Sequence, residues 1–184
     1  MEEIALHILD IVQNSIYANA TFIKVVIIEQ PVQNIFSFSV WDNGKGMTKD
    51  FVEQVKNPFH TTRTTRKVGL GIPLLDLTCQ QCNGKLKIKS QVGKGTMLKA
   101  KMDYDHIDRP PLGDIPSTIV SILLSLKNQH FYYEHQYMDQ KFKLDTQELQ
   151  EILGEIFLQE PTVLQWIHKY VEEGLIEIKQ RIFK

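Results

Sequence analysis

Asp10 and Asn14 are the first two side chains in the chain whose types and spacing fit a chemical task. They lie four positions apart in a segment whose apolar residues recur at helical spacing, so both project from one face of a predicted helix. The amide oxygen of Asn14 suits a hard cation such as Mg²⁺, which keeps most of its waters. The Asp10 carboxylate can accept a proton from a water molecule. Taken alone, such a polar stripe is more typical of a solvated helix face.

A glycine-rich turn follows the second predicted strand, with the sequence Asp42-Asn-Gly44-Lys-Gly46. A carboxylate at a strand end can accept hydrogen bonds from an amino group such as that of adenine. The two glycines permit backbone conformations and close approaches that a Cβ atom forbids. Taken alone, the pattern also fits an ordinary turn or a cation-binding loop like those of calcium proteins.

A second pair of glycines, Gly69 and Gly71, begins a predicted helix. Backbone N–H groups at a helix N-terminus are a common place for phosphate oxygens. The same pair can also serve only to allow tight packing. The Gly95-Thr96 pair then enters a later strand and brings a hydroxyl group to the strand start.

Alternating helices and strands must position these residues. Apolar periodicity predicts a helix over 3–18, and β-branched or alternating segments predict an antiparallel hairpin. Residues 60–67 lack periodicity and predict a loop, and Asn83-Gly84 predicts a helix end through a left-handed residue. The remaining predicted spans are strands 22–29, 34–41, 85–90 and 96–103, a short helix 48–55 and a helix opened by 69–71.

The chain changes character at about residue 105, so we predict one domain over 1–104 and an accessory region over 105–184. The accessory region carries no motif with chemistry in it. It is predicted to be mainly helical with one hairpin, and its last helix is expected to stop at Gly174. Its predicted elements are a linker at 109–111, a helix over 115–126, a hairpin over 130–144, a capping box at 145–148 and a helix after Pro161.

The order of these motifs resembles the GHKL superfamily, the histidine kinase-like ATPases. The segment from Asp10 to Asn14 looks like the N box, Trp41 to Met47 like the G1 box, and the Gly69-Leu-Gly71-Ile segment like the G2 box. Asn57-Pro-Phe59-His-Thr-Thr resembles the F box of histidine kinases. The resemblance covers about residues 3–104. It implies the Bergerat ATP-binding fold, an α/β (α+β) two-layer sandwich with helices over a mixed, mostly antiparallel sheet.

The resemblance also implies roles for individual residues. Asn14 would hold Mg²⁺, Asp42 would bind the adenine amino group with help from the Thr96 hydroxyl, and Asp10 would be catalytic. Arg63 and Lys67 occupy the position of a lid, where a cation can reach the β- or γ-phosphate. The other residues expected around ATP are Gly44, Gly46, Met47, Phe59, Gly69, Leu70 and Gly71.

Two departures from the superfamily limit the expected activity. Members that hydrolyse ATP usually carry glutamate where Asp10 stands, so hydrolysis is expected to be slow or absent. No helices with a phosphoacceptor histidine precede the N box, so a complete sensor kinase is not expected. The C-terminal region resembles small stand-alone ATP-binding proteins linked to iron-hydrogenase gene clusters, in the segments 112–115, 144–146 and 163–167. Stand-alone members also include anti-sigma-factor serine kinases.

Three functions remain open from the sequence. The first is a Mg-ATP-binding regulatory protein that acts on a partner protein as a slow ATPase or a protein kinase. The second is a non-catalytic module that senses ATP. The third is a redox sensor built on Cys79 and Cys82, although one Cys-x-x-Cys at a helix end more often marks ordinary buried cysteines.

Composition excludes several other classes. The chain has 184 residues, 42% of them hydrophobic and 23% charged, and a formal net charge of -1, so neither nucleic acid nor a membrane surface is an expected partner. It lacks the apolar run of a membrane span and the start of a signal peptide, so we expect a cytoplasmic protein. A homodimer is compatible with the C-terminal helices and hairpin.

Overall fold

The computed structural model describes residues 3–55, 71–154 and 160–180. They form a six-stranded mixed sheet with helices, so the predicted α+β sandwich is confirmed. The helices are α1 (Ile4–Tyr17), α2 (Lys49–Val55), α3 (Gly71–Gln81), α4 (Ile115–Ser125), α5 (Thr146–Leu153) and α6 (Pro161–Gln180), with a short 3-10 helix at Pro31–Gln33. The strands are β1 (Phe22–Gln30), β2 (Ile35–Asp42), β3 (Lys85–Gln91), β4 (Gly95–Met102), β5 (His130–Tyr137) and β6 (Gln140–Asp145).

The sheet joins the two predicted regions of the chain. Its strand order is β3-β4-β2-β1-β5-β6, and every neighbouring pair is antiparallel except β1 and β5. The parallel register pairs Phe22 with His130 and Glu29 with Tyr137. The accessory region therefore extends the sheet of the first region through backbone hydrogen bonds.

The two faces of the sheet differ in composition because successive side chains of a strand point to opposite faces. In β1, buried Ile23, Val25 and Ile27 alternate with partly exposed residues. The buried face packs against α1, α3 and α6, and α4 packs on α1 and α6, so that all of them share one hydrophobic core. We call the other face, which carries the partly exposed residues, the open face.

The helix ends follow local signals in the sequence. Asn19 and Asn83 adopt left-handed backbone conformations with φ of 57° and 56°, each two residues after the end of α1 or α3, as predicted for the second of them. Thr48 accepts a hydrogen bond from the Phe51 N–H at 3.3 Å at the start of α2. Asp145 likewise accepts one from the Gln147 N–H at 2.8 Å at the start of α5.

The expected helix end at Gly174 is wrong, because α6 continues to Gln180. A Cβ atom at Gly174 would lie 2.2 Å from the Phe142 ring of β6. This glycine therefore makes room for the aromatic ring where α6 crosses the sheet. Among the described residues, no helix is both long and apolar enough to cross a membrane.

The linker that precedes α4 also supports α1. The backbone N–H groups of Ile4 and Ala5 donate to the carbonyl oxygens of Pro111 and Leu112 at 3.0 and 2.9 Å. The first N–H groups of a helix lack partners within the helix, so these bonds replace a side-chain cap. The position of α1, and of the polar residues on it, thus depends on the linker.

Candidate functional site

Asp42 lies at the end of β2, with 5% of its surface exposed. Its Oδ2 atom accepts a hydrogen bond from the Ser15 hydroxyl at 2.9 Å, and its Oδ1 atom accepts one from the Gly44 N–H at 2.8 Å. An ionised carboxylate can accept about four hydrogen bonds. Asp42 is therefore held rigidly and still has acceptor capacity for a ligand.

The hydroxyl group that contacts Asp42 belongs to Ser15 and not to Thr96. Thr96 lies directly across from Asp42 in the β2–β4 register, but the described hydrogen bond of its hydroxyl goes to Ser90 at 2.8 Å. Among the described residues no direct hydrogen bond joins Thr96 to Asp42, and the predicted help of the Thr96 hydroxyl in binding adenine stays a prediction. Ser15 was missed although it directly follows Asn14, because a serine inside a helix usually bonds its own backbone.

The turn after Asp42 packs closely against its neighbours. A Cβ atom at Gly44 would lie 2.8 Å from the Ala18 carbonyl oxygen, and Gly46 has a φ of +66°. A Cβ atom at Gly46 would also lie 2.0 Å from the Gln91 carbonyl oxygen. Both glycines are therefore required by space, and one of them also by conformation.

Asn43 fastens this turn to the start of β1. Its Oδ1 atom accepts hydrogen bonds from the Thr21 and Phe22 N–H groups at 2.8 and 2.9 Å. Its Nδ2 atom donates to the Thr21 hydroxyl at 2.8 Å. The sequence motif treats this position as variable, so sequence reasoning did not select Asn43 as a positioning residue.

The polar stripe on α1 runs from a buried end to an exposed end. His7 is 1% exposed, Asp10 is half-buried and Asn14 is exposed. Within the described part of the chain, the Oδ2 atom of Asp10 is buried and has no hydrogen-bond partner. Burial raises the pKa of Asp10 above its usual value. A solvated helix face is thus ruled out for the first half of the stripe.

His7 contributes a second buried polar group without a hydrogen bond. Neither of its ring nitrogens has a partner of good geometry among the described residues, although the Gly71 backbone lies near the ring at the start of α3. Burial lowers the pKa of His7 to about 4, so the ring is neutral at pH 7. Because buried polar groups are nearly always paired, two such neighbours on one helix indicate a site for a ligand or ordered water.

Comparison with known protein families shows to which family this site belongs. Residues 2–106 match the family described as histidine kinase-, DNA gyrase B- and HSP90-like ATPases. The chain belongs to this ATPase family. The match contains α1, the Asp42 turn, α3 and strands β1 to β4, so the family assignment covers the whole candidate site.

Two curated relatives that match part of this ATPase domain are named as kinases. Sporulation kinase C of Bacillus subtilis is 31% identical over 91 residues, which are 50% of this chain and 21% of that protein. Sensor kinase CckA of Brucella abortus is 36% identical over 70 residues, which are 38% of this chain and 7% of that protein. The chain thus matches about a fifth or less of the length of these two relatives.

A solved structure shares the fold of the ATPase domain and of the accessory region together. It is the crystal structure of the N-terminal domain of a DNA repair protein, with a TM-score of 0.56 and 14% sequence identity. The likeness covers 86% of this chain and 59% of that chain. At this identity the likeness supports the fold alone.

Several predicted site residues lie outside the described residues of the ATPase domain. These are Phe59, Arg63, Lys67, Gly69 and Leu70. Gly71 is described and begins α3, which packs against α1. The Met47 N–H donates to the Ser90 hydroxyl at 2.8 Å, which ties the end of the Asp42 turn to β3.

The two cysteines of the ATPase domain lie in its core. Cys79 on α3 and Cys82 just after it are both 0% exposed, as expected for ordinary buried cysteines. Burial raises the pKa of the Cys82 thiol, and the nearby Asp108 carboxylate acts in the same direction. A thiol with a raised pKa is less reactive, so this environment does not favour a redox sensor.

Proposed function

We propose that this protein binds Mg-ATP and acts on a partner protein, either by slow hydrolysis of ATP or by transfer of its terminal phosphoryl group. Membership of an ATPase family supports the nucleotide. The kinase names of the curated relatives support a regulatory role. The observation that carries the catalytic part of the proposal is the buried, unpaired Oδ2 atom of Asp10.

Asp42 fits the adenine end of ATP. Its carboxylate is nearly buried, is oriented by Ser15 and Gly44, and keeps acceptor capacity for an amino group. A buried polar site of this kind discriminates well, since a ligand without the matching donor leaves the carboxylate unpaired. We therefore assign adenine recognition to Asp42.

Asp10 and Asn14 fit the phosphate end of ATP. Their side chains are one turn apart on α1, which packs against α3 at whose start phosphate oxygens can bind. The exposed amide of Asn14 fits a ligand of Mg²⁺, an ion that retains most of its waters and needs few protein ligands. Mg²⁺ would neutralise phosphate charge there, and Asp10 would accept a proton from the attacking water or hydroxyl group.

The raised pKa of Asp10 favours the catalytic role over pure sensing. A general base works best when its pKa approaches the working pH, and burial shifts the Asp10 pKa in that direction. Asp10 is one methylene shorter than the glutamate expected in ATP-hydrolysing members, so turnover should be slow.

The Asp10→Asn substitution tests the proposal by a measurement of Mg²⁺-dependent phosphate release from ATP. We expect turnover to fall about a hundredfold or more, while the affinity for ADP stays within a few-fold of wild type. Asp139→Asn, in the exposed β5–β6 turn, is the matched control and should behave as wild type. Unchanged turnover in Asp10→Asn would contradict the catalytic assignment. Tight ATP binding without turnover in the wild type would favour the ATP-sensing module.

A further inference from the structure

Five lysines cluster at one end of the open face, and we call them the lysine face. Lys85, Lys87 and Lys89 alternate along β3 with residues that face the helices, and Lys99 and Lys101 do the same on β4. All five side chains are exposed. The register places Lys85 across from Lys101 and Lys87 across from Lys99.

These pairs oppose the stability of the sheet. Like charges that lie directly across an antiparallel pair repel each other. Among the described residues none of the five lysines forms an ion pair, whereas Lys141 and Lys143 at the other end pair with Glu134 and Glu148 at 3.1 and 2.8 Å. The unpaired positive charge is therefore concentrated over β3 and β4.

Protection of a sheet edge explains only part of the lysine face. Lysines on an edge strand discourage pairing with other chains, and β3 is an edge strand. The strand β4 lies inside the sheet, between β3 and β2, and does not need such protection. Lys99 and Lys101 nevertheless add repulsion across from the lysines of β3. An anionic partner bound over the lysines would neutralise their charges, and relief of the repulsion would favour binding.

We propose that the lysine face binds an extended acidic segment of a partner protein. Alternate residues of an extended segment are about 6.6 Å apart, the same spacing that separates Lys85, Lys87 and Lys89 along β3. An acidic side chain at every second position can therefore meet one lysine after another. A shallow depression of about 300 Å³, lined in part by Trp41, Lys89 and Met97, borders the lysines and can receive an apolar side chain.

The charge of the rest of the protein favours a short acidic segment over a long polyanion. Without the five lysines, the formal net charge of -1 becomes -6 for the remainder of the chain. From Lys85 to Lys89 the lysine face is only about 13 Å long. A nucleic acid would extend beyond it over the rest of the protein, whose net charge is negative. A membrane would also contact the other end of the open face, where Lys141 and Lys143 are already paired with glutamates.

Nucleotide binding and the lysine face can be tested separately. Asp42 points to the helix-covered face, opposite to the lysines of β4. ADP affinity should therefore be the same in wild type and in lysine variants. Failure of the nucleotide site would leave the result for the lysine face unaffected.

The test is fluorescence anisotropy with a labelled synthetic peptide that carries glutamate at every second position, against a peptide with glutamine there. We expect the glutamate peptide to bind, and Lys87→Glu/Lys99→Glu to weaken it about tenfold. Lys141→Glu/Lys143→Glu, on the same face, is the matched control and should bind nearly as wild type. Added salt should weaken binding, because charges are screened within ~10 Å at 0.1 M and ~3 Å at 1 M.

A milder variant protects the test against misfolding. Lys87→Gln/Lys99→Gln removes the cross-strand repulsion, so its melting temperature should equal or exceed that of wild type while it binds the glutamate peptide more weakly. Equal binding of the peptide by this variant and wild type would overturn the proposal, as would no binding by wild type. Tighter binding of oligothymidylate or of phosphatidylserine vesicles than of the peptide would overturn it in favour of those partners.

Discussion

Among the described residues, the ATPase domain and the accessory region each bury one histidine, and the two histidines differ in their hydrogen bonds. His7 on α1 is 1% exposed and neither ring nitrogen has a hydrogen bond to the described residues. His135 on β5 is 0% exposed and uses both nitrogens, one with the Tyr133 hydroxyl at 2.8 Å and one with Glu29 at 2.8 Å.

The difference separates a polar cluster that is paired within the fold from one to which we assign a function. Burial raises the pKa of Glu29, but His135 and Lys179 outweigh that effect and hold the Glu29 pKa below its usual value. Among the described residues, the buried side-chain nitrogen and oxygen atoms that lack a hydrogen-bond partner belong to His7 and Asp10. Folds tolerate unpaired buried polar groups mainly where function requires them.

The largest expected loss of stability comes from substitution of the hydrogen-bonded histidine, His135. His135→Ala leaves Glu29 buried with only Lys179 as a charged partner, so we expect the free energy of unfolding to fall by about 3 kcal/mol. Urea denaturation measures this. His130→Ala, on the same strand but half-buried beside Asp145, is the control and should cost about 1 kcal/mol or less. Equal losses of unfolding free energy in the two variants would contradict a special structural role for His135.

A smaller effect is expected from the unpaired histidine, and it should depend on pH. The pKa of His7 is about 4 in the folded protein and near 6.5 when unfolded, so the unfolded state binds more protons between these values. Stability should therefore decrease as pH falls from 6.5 to 4, by at most ~1.4 kcal/mol per pH unit from this residue. His7→Gln should flatten that dependence in urea titrations at several pH values.

The carboxyl group of Asp10, one turn from His7 on α1, changes stability with pH in the opposite direction. Asp10 has a raised pKa, so its burial as a carboxylate costs stability that is regained as pH falls. Because Asp10 is present in both proteins, the difference between wild type and His7→Gln reports His7 alone. His106→Gln, between β4 and the linker, should keep the wild-type slope. If stability depended on pH equally in His7→Gln and in wild type, His7 would not be buried as a neutral ring.

Local signals in the sequence predict most of the elements of this fold. Apolar periodicity predicts α1, alternation predicts the hairpin of β1 and β2, and Asn83 marks the end of α3. The parallel pairing of β5 with β1 was not predicted, since residues about a hundred positions apart form it. The helix end predicted at Gly174 was wrong because glycine can end a helix but can also make space for a large neighbour, here Phe142.

Motif spacing predicts which residues form the candidate site better than it predicts their contacts. Asp10, Asn14 and Asp42 are placed on the expected helix and strand end. The partners that orient Asp42 and its turn, Ser15 and Asn43, depend on side-chain directions between elements. A linear pattern of residues does not contain those directions.

The most direct test of the central claim is calorimetric titration of wild type and Asp42→Asn with ADP and a non-hydrolysable ATP analogue, with and without Mg²⁺. We predict Mg²⁺-dependent binding by wild type. Asp42→Asn should lose about 1.5–3 kcal/mol of binding free energy, or about ten- to a hundredfold in affinity, while Asp139→Asn binds as wild type. Equal affinities of wild type and Asp42→Asn would contradict the adenine assignment, and no binding by wild type would contradict the nucleotide site itself.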